Sequence, residues 1–129
     1  MSSNRFTGLP IAVVEDHDDA RISLGLFLKH LGANLVLARN AFEGIEVVKN
    51  SRPNLVLSDI SMPDRDGFEL LRDIRALGPR AGNIPVVAMT ALVAQVDRSR
   101  IIDAGFQAYF PKPFAVDELI EAISNVLND

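Results

Sequence analysis

At 129 residues the chain fits one domain and leaves little room for two. Its 13 Lys+Arg against 17 Asp+Glu give a net charge of −4, which argues against a general nucleic-acid binder, since such a protein carries a basic face. Apolar residues at 48% and charged residues at 23% describe an ordinary soluble globular domain, and the absence of Cys excludes disulfides, thiol chemistry and cysteine metal sites.

Short apolar runs alternate five times with stretches of helical period. Residues 10–14 (PIAVV) make the first strand. Asp18 or Asp19 then caps a helix with Ala20, Leu24, Phe27, Leu28 and Leu31 on one face and Gly32 as its stop. The second strand is 34–38, and the second helix, 41–50, puts Ala41, Gly44, Ile45 and Val48 on one face. The third strand is 55–58. After the loop 59–66, with Asp66 as cap, comes a helix carrying Gly67, Leu70, Leu71 and Ile74. The fourth strand is 85–89, followed by a helix over 93–104 that Gly105 ends. Its apolar stripe is thin, because Asp97, Arg98, Ser99, Arg100 and Asp103 crowd it. The fifth strand, 108–110, leads into a helix bearing Val116, Leu119, Ile120, Ile123, Val126 and Leu127. Residues 1–8 read as an N-terminal extension and 9–129 as the domain.

The strands are short and apolar throughout, the pattern of strands buried on both faces of a parallel sheet. Fivefold β-α alternation predicts a doubly wound α/β fold with right-handed crossovers and helices on both faces. The loops after the strands then share one edge, where such folds bind ligands. That edge receives Glu15-Asp16 after the first strand, Asp59 after the third, Thr90 after the fourth and Lys112 after the fifth. Three carboxylates brought together repel and need a cation at neutral pH, and hard oxygen ligands suit Mg²⁺. Lys112 is one of three lysines against ten arginines, and a compact ammonium binds a phosphoryl oxygen as a point charge.

The set Glu15-Asp16, Asp59, Thr90 and Lys112-Pro113 resembles the receiver domain of two-component response regulators. The flanking motifs LVLSDISMPDRDGFELL, VVAMTA and AYFPKPF carry the same resemblance, which spans about residues 9–128. It implies a flavodoxin-like doubly wound (βα)5 three-layer sandwich with strand order 2-1-3-4-5. It further implies that Asp59 accepts a phosphoryl group from a histidine kinase or phosphotransfer protein. Asp16 ligates Mg²⁺ directly, Glu15 through water, and the Ser61 backbone carbonyl adds a ligand. Lys112 pairs with Asp59 at rest and with the phosphoryl group afterwards. Thr90 bonds a phosphoryl oxygen, and Tyr109 moves from exposed to buried. Output runs through the fourth helix, fifth strand and fifth helix toward a downstream protein or a fused domain. In this family the Lys112–Pro113 bond is cis, and Ser61 and Leu92 occupy positions that tune phosphoryl lifetime.

Such a chain is a signalling receiver that catalyses only its own phosphorylation and dephosphorylation, binds no nucleic acid or membrane itself, and works in the cytoplasm. No segment approaches the ~20 apolar residues of a membrane span, and MSSNRFTGLP has no apolar signal-peptide core. Three other readings compete. A haloacid-dehalogenase-like phosphatase also uses an aspartyl nucleophile, but wants an acid where Ser61 stands. A nucleotide-binding module wants a glycine-rich loop where Glu15-Asp-His-Asp-Asp19 stands. A pseudo-receiver would bind partners without phosphorylation, yet all the key residues are present. Asp64 reads as solvated, His17 as an exposed loop residue with contact to a phosphodonor as the alternative, and His30 as a surface residue near a helix C-terminus.

Overall fold

The computed structural model describes residues 5–91, 95–112 and 115–128, with backbone alone for 95–97 and 128. Five strands, β1 (Pro10–Val14), β2 (Asn34–Ala38), β3 (Leu55–Asp59), β4 (Val86–Thr90) and β5 (Ala108–Pro111), form one parallel sheet in the order β2-β1-β3-β4-β5. Between them run α1 (Asp18–His30), α2 (Ala41–Ser51), α3 (Gly67–Arg75) and α4 (Gln95–Ala104), and α5 (Val116–Asn128) follows β5. A short 3₁₀ turn, Ala81–Asn83, precedes β4. The flavodoxin-like fold expected from the sequence is the one observed.

Period-2 alternation along the strands sorts the core into two layers. Ile11, Val13, Leu55, Leu57, Val87 and Met89 point to one face, where Leu24 and Leu28 of α1 and Leu119 and Ile123 of α5 cover them. Ala12, Val14, Val56, Val86 and Ala88 point to the other, under Val48 of α2, Leu70, Leu71 and Ile74 of α3 and Ile101 of α4. Apart from Ala20 of α1 and Val116 of α5, which are exposed, the helices bury the stripes their periodicity marks, and tertiary burial of such stripes supplies most of the stability of helices this short. Phe6, ahead of β1, is also buried, and its N–H donates to the Leu31 carbonyl.

The third helix starts with a complete capping box. Asp66 accepts from the Glu69 N–H at 2.9 Å, and Glu69 accepts from the Asp66 N–H at 3.0 Å. At its other end Arg75 donates to the carbonyls of Gly82 and Ile84 and to Gln107 Oε1, tying α3 to the approach of β4. Phe68 of α3 meets Phe106 edge to face at 5.7 Å, and the Arg100 guanidinium of α4 lies 4.2 Å over the Phe68 ring.

Four expectations need correction. The cap position of α1 is His17, whose side chain makes no capping bond. Asp18 and Asp19 fall in the first turn, and Asp18 Oδ1 instead takes Arg21 at 2.6 Å. The second strand is not buried on both faces. It lies at the sheet edge, with Val36 37% and Leu37 40% exposed, because no strand flanks it there. Ala20 is exposed, because Arg21 and not Ala20 takes the inward position of the first turn of α1. The fourth strand begins at Val86, because Pro85 has no N–H for the ladder; its carbonyl accepts from the Val56 N–H at 3.0 Å. The expectations for Pro113 and Leu92 lie outside the described residues.

Candidate functional site

The strand order reverses direction on either side of β1. The chain runs outward to β2 and then returns to β3, so the connections from β1 and β3 leave on opposite faces and a crevice opens between their C-terminal ends. Glu15 and Asp16 follow β1 and Asp59 ends β3, so all three stand at that crevice. The Glu15 N–H donates to the Ala38 carbonyl at 3.0 Å, extending the β1–β2 ladder by one bond and holding the turn into the acidic segment.

Lys112, just beyond β5, reaches in from the other side. Its Nζ lies 2.5 Å from Glu15 Oε1 and 3.1 Å from Asp59 Oδ2. Its N–H donates to the Thr90 carbonyl at 2.8 Å, so the lysine and Thr90 are joined through backbone. Thr90 is buried. Asp16 lies beside Glu15, with one buried oxygen, Oδ1, that has no hydrogen-bond partner. The edge thus brings together Glu15, Asp16, Asp59 and Lys112, with Thr90 adjoining. Ser61 is exposed in the loop after β3. Tyr109 lies off the polar cluster, half-buried against the core layer beneath α2–α4.

The two buried acids titrate in opposite directions. Burial and the Glu15 charge push Asp59 up to about 6, against the pull of Lys112. Burial would also push Glu15 up, but the hydrogen bond and charge of Lys112, with the His17 N–H, outweigh it and bring Glu15 down to about 2. Burial would lower Lys112, and its bonds to the two acids instead raise it. Glu15 therefore carries the settled negative charge, and Asp59 is the acid whose charge the site tolerates least.

Such a site suits a divalent cation. Glu15, Asp16, His17 and Asp59 each offer one ligand atom, all within 4.8 Å of one another. The unpartnered Asp16 Oδ1 supplies an acceptor that nothing else uses. A mostly oxygen donor set on a buried acidic crevice matches the chemistry of Mg²⁺.

Two contributors escaped the sequence reading. Arg21 is buried and donates to the Glu15 carbonyl at 3.0 Å, fixing the backbone at the acidic turn. The available signal was its place in the buried stripe Arg21, Leu24, Leu28, where an apolar residue belongs. His17 read as an exposed loop residue, and its contact with the two acids was not foreseen. Its ring is 75% exposed, yet Nδ1 lies 3.4 Å from Glu15 Oε2 and 3.5 Å from Asp16 Oδ1. Asp64 is exposed, as expected, and adopts φ 71° in the tight turn ahead of α3. His30 ends α1 at the surface. Among the described residues no helix is long and apolar enough to cross a membrane.

Comparison with known proteins matches the response regulator receiver domain model over residues 11–124. An "Uncharacterized 14.6 kDa protein in sodA1 3'region" of Leptolyngbya boryana is 36% identical over 115 residues, 89% of this chain and 87% of that protein. Response regulator MprA of Mycobacterium sp. (strain KMS) is 35% identical over 117 residues, and the chain spans half of that protein's length. Among solved structures, the receiver domain of the sensor histidine kinase PA1611 from Pseudomonas aeruginosa PAO1 superposes with a TM-score of 0.86 at 28% identity. The match covers 95% of this chain and all of that one, and that crystal structure holds a magnesium ion in its active site cleft.

Proposed function

The chain belongs to the response regulator receiver domain family, and from that membership we propose that it is a phosphorylatable receiver in a two-component phosphorelay, with Asp59 as its phosphoacceptor. The observation that carries this reading is the placement of Asp59. It is buried at the end of β3, 3.1 Å from the Lys112 ammonium and beside two further acids, one of which keeps a buried oxygen unpartnered.

An Asp59 carboxylate oxygen attacks the phosphorus of a phosphohistidine on a histidine kinase or phosphotransfer protein. The O–P bond forms as the N–P bond breaks, and the electron pair returns to the donor's imidazole. Asp16, Asp59 and the Ser61 carbonyl would hold Mg²⁺ directly and Glu15 through water, a cation that would offset the negative charge gathering on the phosphoryl oxygens. Lys112 neutralises Asp59 before attack and then follows the negative charge onto the phosphoryl group. To do so it gives up part of its close contact with Glu15. Thr90 donates its hydroxyl to a phosphoryl oxygen. Because the Lys112 N–H is bonded to the Thr90 carbonyl, a shift of Thr90 also moves the start of the β5–α5 segment. Tyr109, half-buried on β5, follows by moving inward, and the α4–β5–α5 face changes shape for a downstream protein or fused output domain. This is a local charge event that biases a two-state element.

Incubated with a small-molecule phosphodonor and Mg²⁺, the protein is expected to gain one phosphoryl group in intact-mass spectra. No gain is expected after chelation or in Asp59→Asn. A wild type without an adduct overturns the reading, and equal labelling of Asp59→Asn moves the site elsewhere. Lys112→Ala is expected to accept the group but to leave the Tyr109 ring resonances where they were before phosphorylation. A full wild-type shift in that variant would remove Lys112 from the relay.

A further inference from the structure

We propose that His17 is a nitrogen ligand of the divalent-cation site, and that it biases the site toward a first-row transition metal such as Mn²⁺ over Mg²⁺. The inference rests on the reading that Asp16 and Asp59 hold a cation, with Glu15 reaching it through water, and adds to it a ligand of a different chemical kind.

His17 is the one group of the cluster on the solvent side. Its ring is 75% exposed, while Glu15 and Asp59 are buried beneath it. Its N–H donates to Glu15 Oε2 at 3.2 Å, and its side chain makes no capping bond to α1. The ring is therefore held over the acids by its own backbone and by the contact of Nδ1 with Glu15 Oε2, and is not committed to the helix. Nδ1 lies 3.4 Å from Glu15 Oε2 and 3.5 Å from Asp16 Oδ1, and the latter oxygen is buried without a hydrogen-bond partner. Adjacent ligands of an octahedral ion lie about 3 Å apart. The spacing to Asp16 Oδ1 therefore closes to ligation with a shift of about half an ångström, which an exposed imidazole makes by rotation about its side-chain bonds.

The chemical consequence is selectivity. Mg²⁺ prefers oxygen and retains several waters, so an imidazole in its shell brings it little. Transition-metal ions accept imidazole readily and gain affinity along the series from Mn²⁺ to Cu²⁺. An imidazole that displaces one water thus separates ions that an all-oxygen site barely distinguishes. The other histidine, His30, stands at the far end of the 13-residue α1, roughly 20 Å away, and serves as an internal control.

The test is pulsed electron paramagnetic resonance on the full chain loaded with Mn²⁺, with affinities from the free-Mn²⁺ signal and from Mg²⁺ competition. Wild type and His30→Gln are expected to show ¹⁴N coupling to the ion, and His17→Gln to lose it. The Mn²⁺-over-Mg²⁺ preference is expected to fall about tenfold or more in His17→Gln, since even outer groups around a metal site carry that much. Bound Mn²⁺ in the wild type without nitrogen coupling, or an unchanged preference in His17→Gln, overturns the assignment of His17. A wild type that binds neither ion overturns the cation site itself, and the inference with it.

Discussion

Gly67→Ala is expected to destabilise the protein by about 3 kcal/mol and to displace the segment that follows Asp59. A Cβ at Gly67 would stand 2.5 Å from the Asp59 carbonyl oxygen and 2.9 Å from Ile60 Cα. Both are backbone atoms, so no side-chain rotation relieves the clash. The Gly67 N–H also donates to the Ile60 carbonyl at 2.8 Å, which holds the start of α3 against the end of β3. Ala improves helix propensity by no more than about 1 kcal/mol, and less in the first turn, so overlap decides the sign. Urea unfolding measures the loss, and amide shifts of residues 59–66 report the displacement. Stability within about 0.5 kcal/mol of wild type would show that the loop yields freely. Gly78 is a useful contrast. It has φ 106° but open space around its Cβ position, so its replacement by Ala costs only backbone strain, about 1 kcal/mol.

Neutralising the two buried acids one at a time is expected to move stability in opposite directions. Asp59 is raised from 3.8 to about 6, so the folded state disfavours its charged form. That penalty is absent below pH 3.8, grows as the pH rises toward 6 and is complete above it. Asp59→Asn is therefore expected to stabilise the protein by about 1–2 kcal/mol at pH 7.5, with the gain vanishing by pH 4. Holding the charged carboxylate in the folded state costs about 3 kcal/mol at that pH with the pull of Lys112 already counted, and an amide that turns an N–H toward buried polar neighbours fits the site less well, which takes back part of the relief. Glu15 is lowered from 4.5 to about 2, so its contribution is present above pH 4.5 and is lost as the pH falls toward 2. Glu15→Gln is expected to cost about 2 kcal/mol at pH 7.5, less than the whole stabilisation of its charge because Asp59 then has Lys112 to itself. Urea melts of both variants at pH 4 and 7.5 check this. Destabilisation by Asp59→Asn at pH 7.5 would refute the charge assignment.

The residues at the crevice were legible because each stands directly after an apolar run. The end of a strand is a local feature, and the strand-end residues Glu15, Asp16, Asp59, Thr90 and Lys112 could be read from five hydrophobic segments and their order. The capping role of Asp66 was legible for the same reason, since the acid and its Glu69 partner lie three residues apart. The α1 cap was misassigned because two adjacent aspartates satisfied the rule equally well. Only the packed position of Arg21 shows where the Asp18 carboxylate goes.

Alternation, strand-end chemistry and the acidic excess at residues 15–19 belong to the sequence, because short-range periodicity and composition produce them without reference to the rest of the chain. Which acid Lys112 approaches most closely is different in kind. Glu15 and Lys112 lie 97 residues apart, and only the sheet order brings β1 and the end of β5 to the same crevice. Charge order follows from that meeting. One ammonium serving two buried carboxylates holds Glu15 ionised and leaves Asp59 the reluctant anion, a division set by distance and desolvation in the folded state. The exposure of β2 and the position of the His17 ring over the acids were likewise decided by tertiary packing, because both depend on what lies alongside in space.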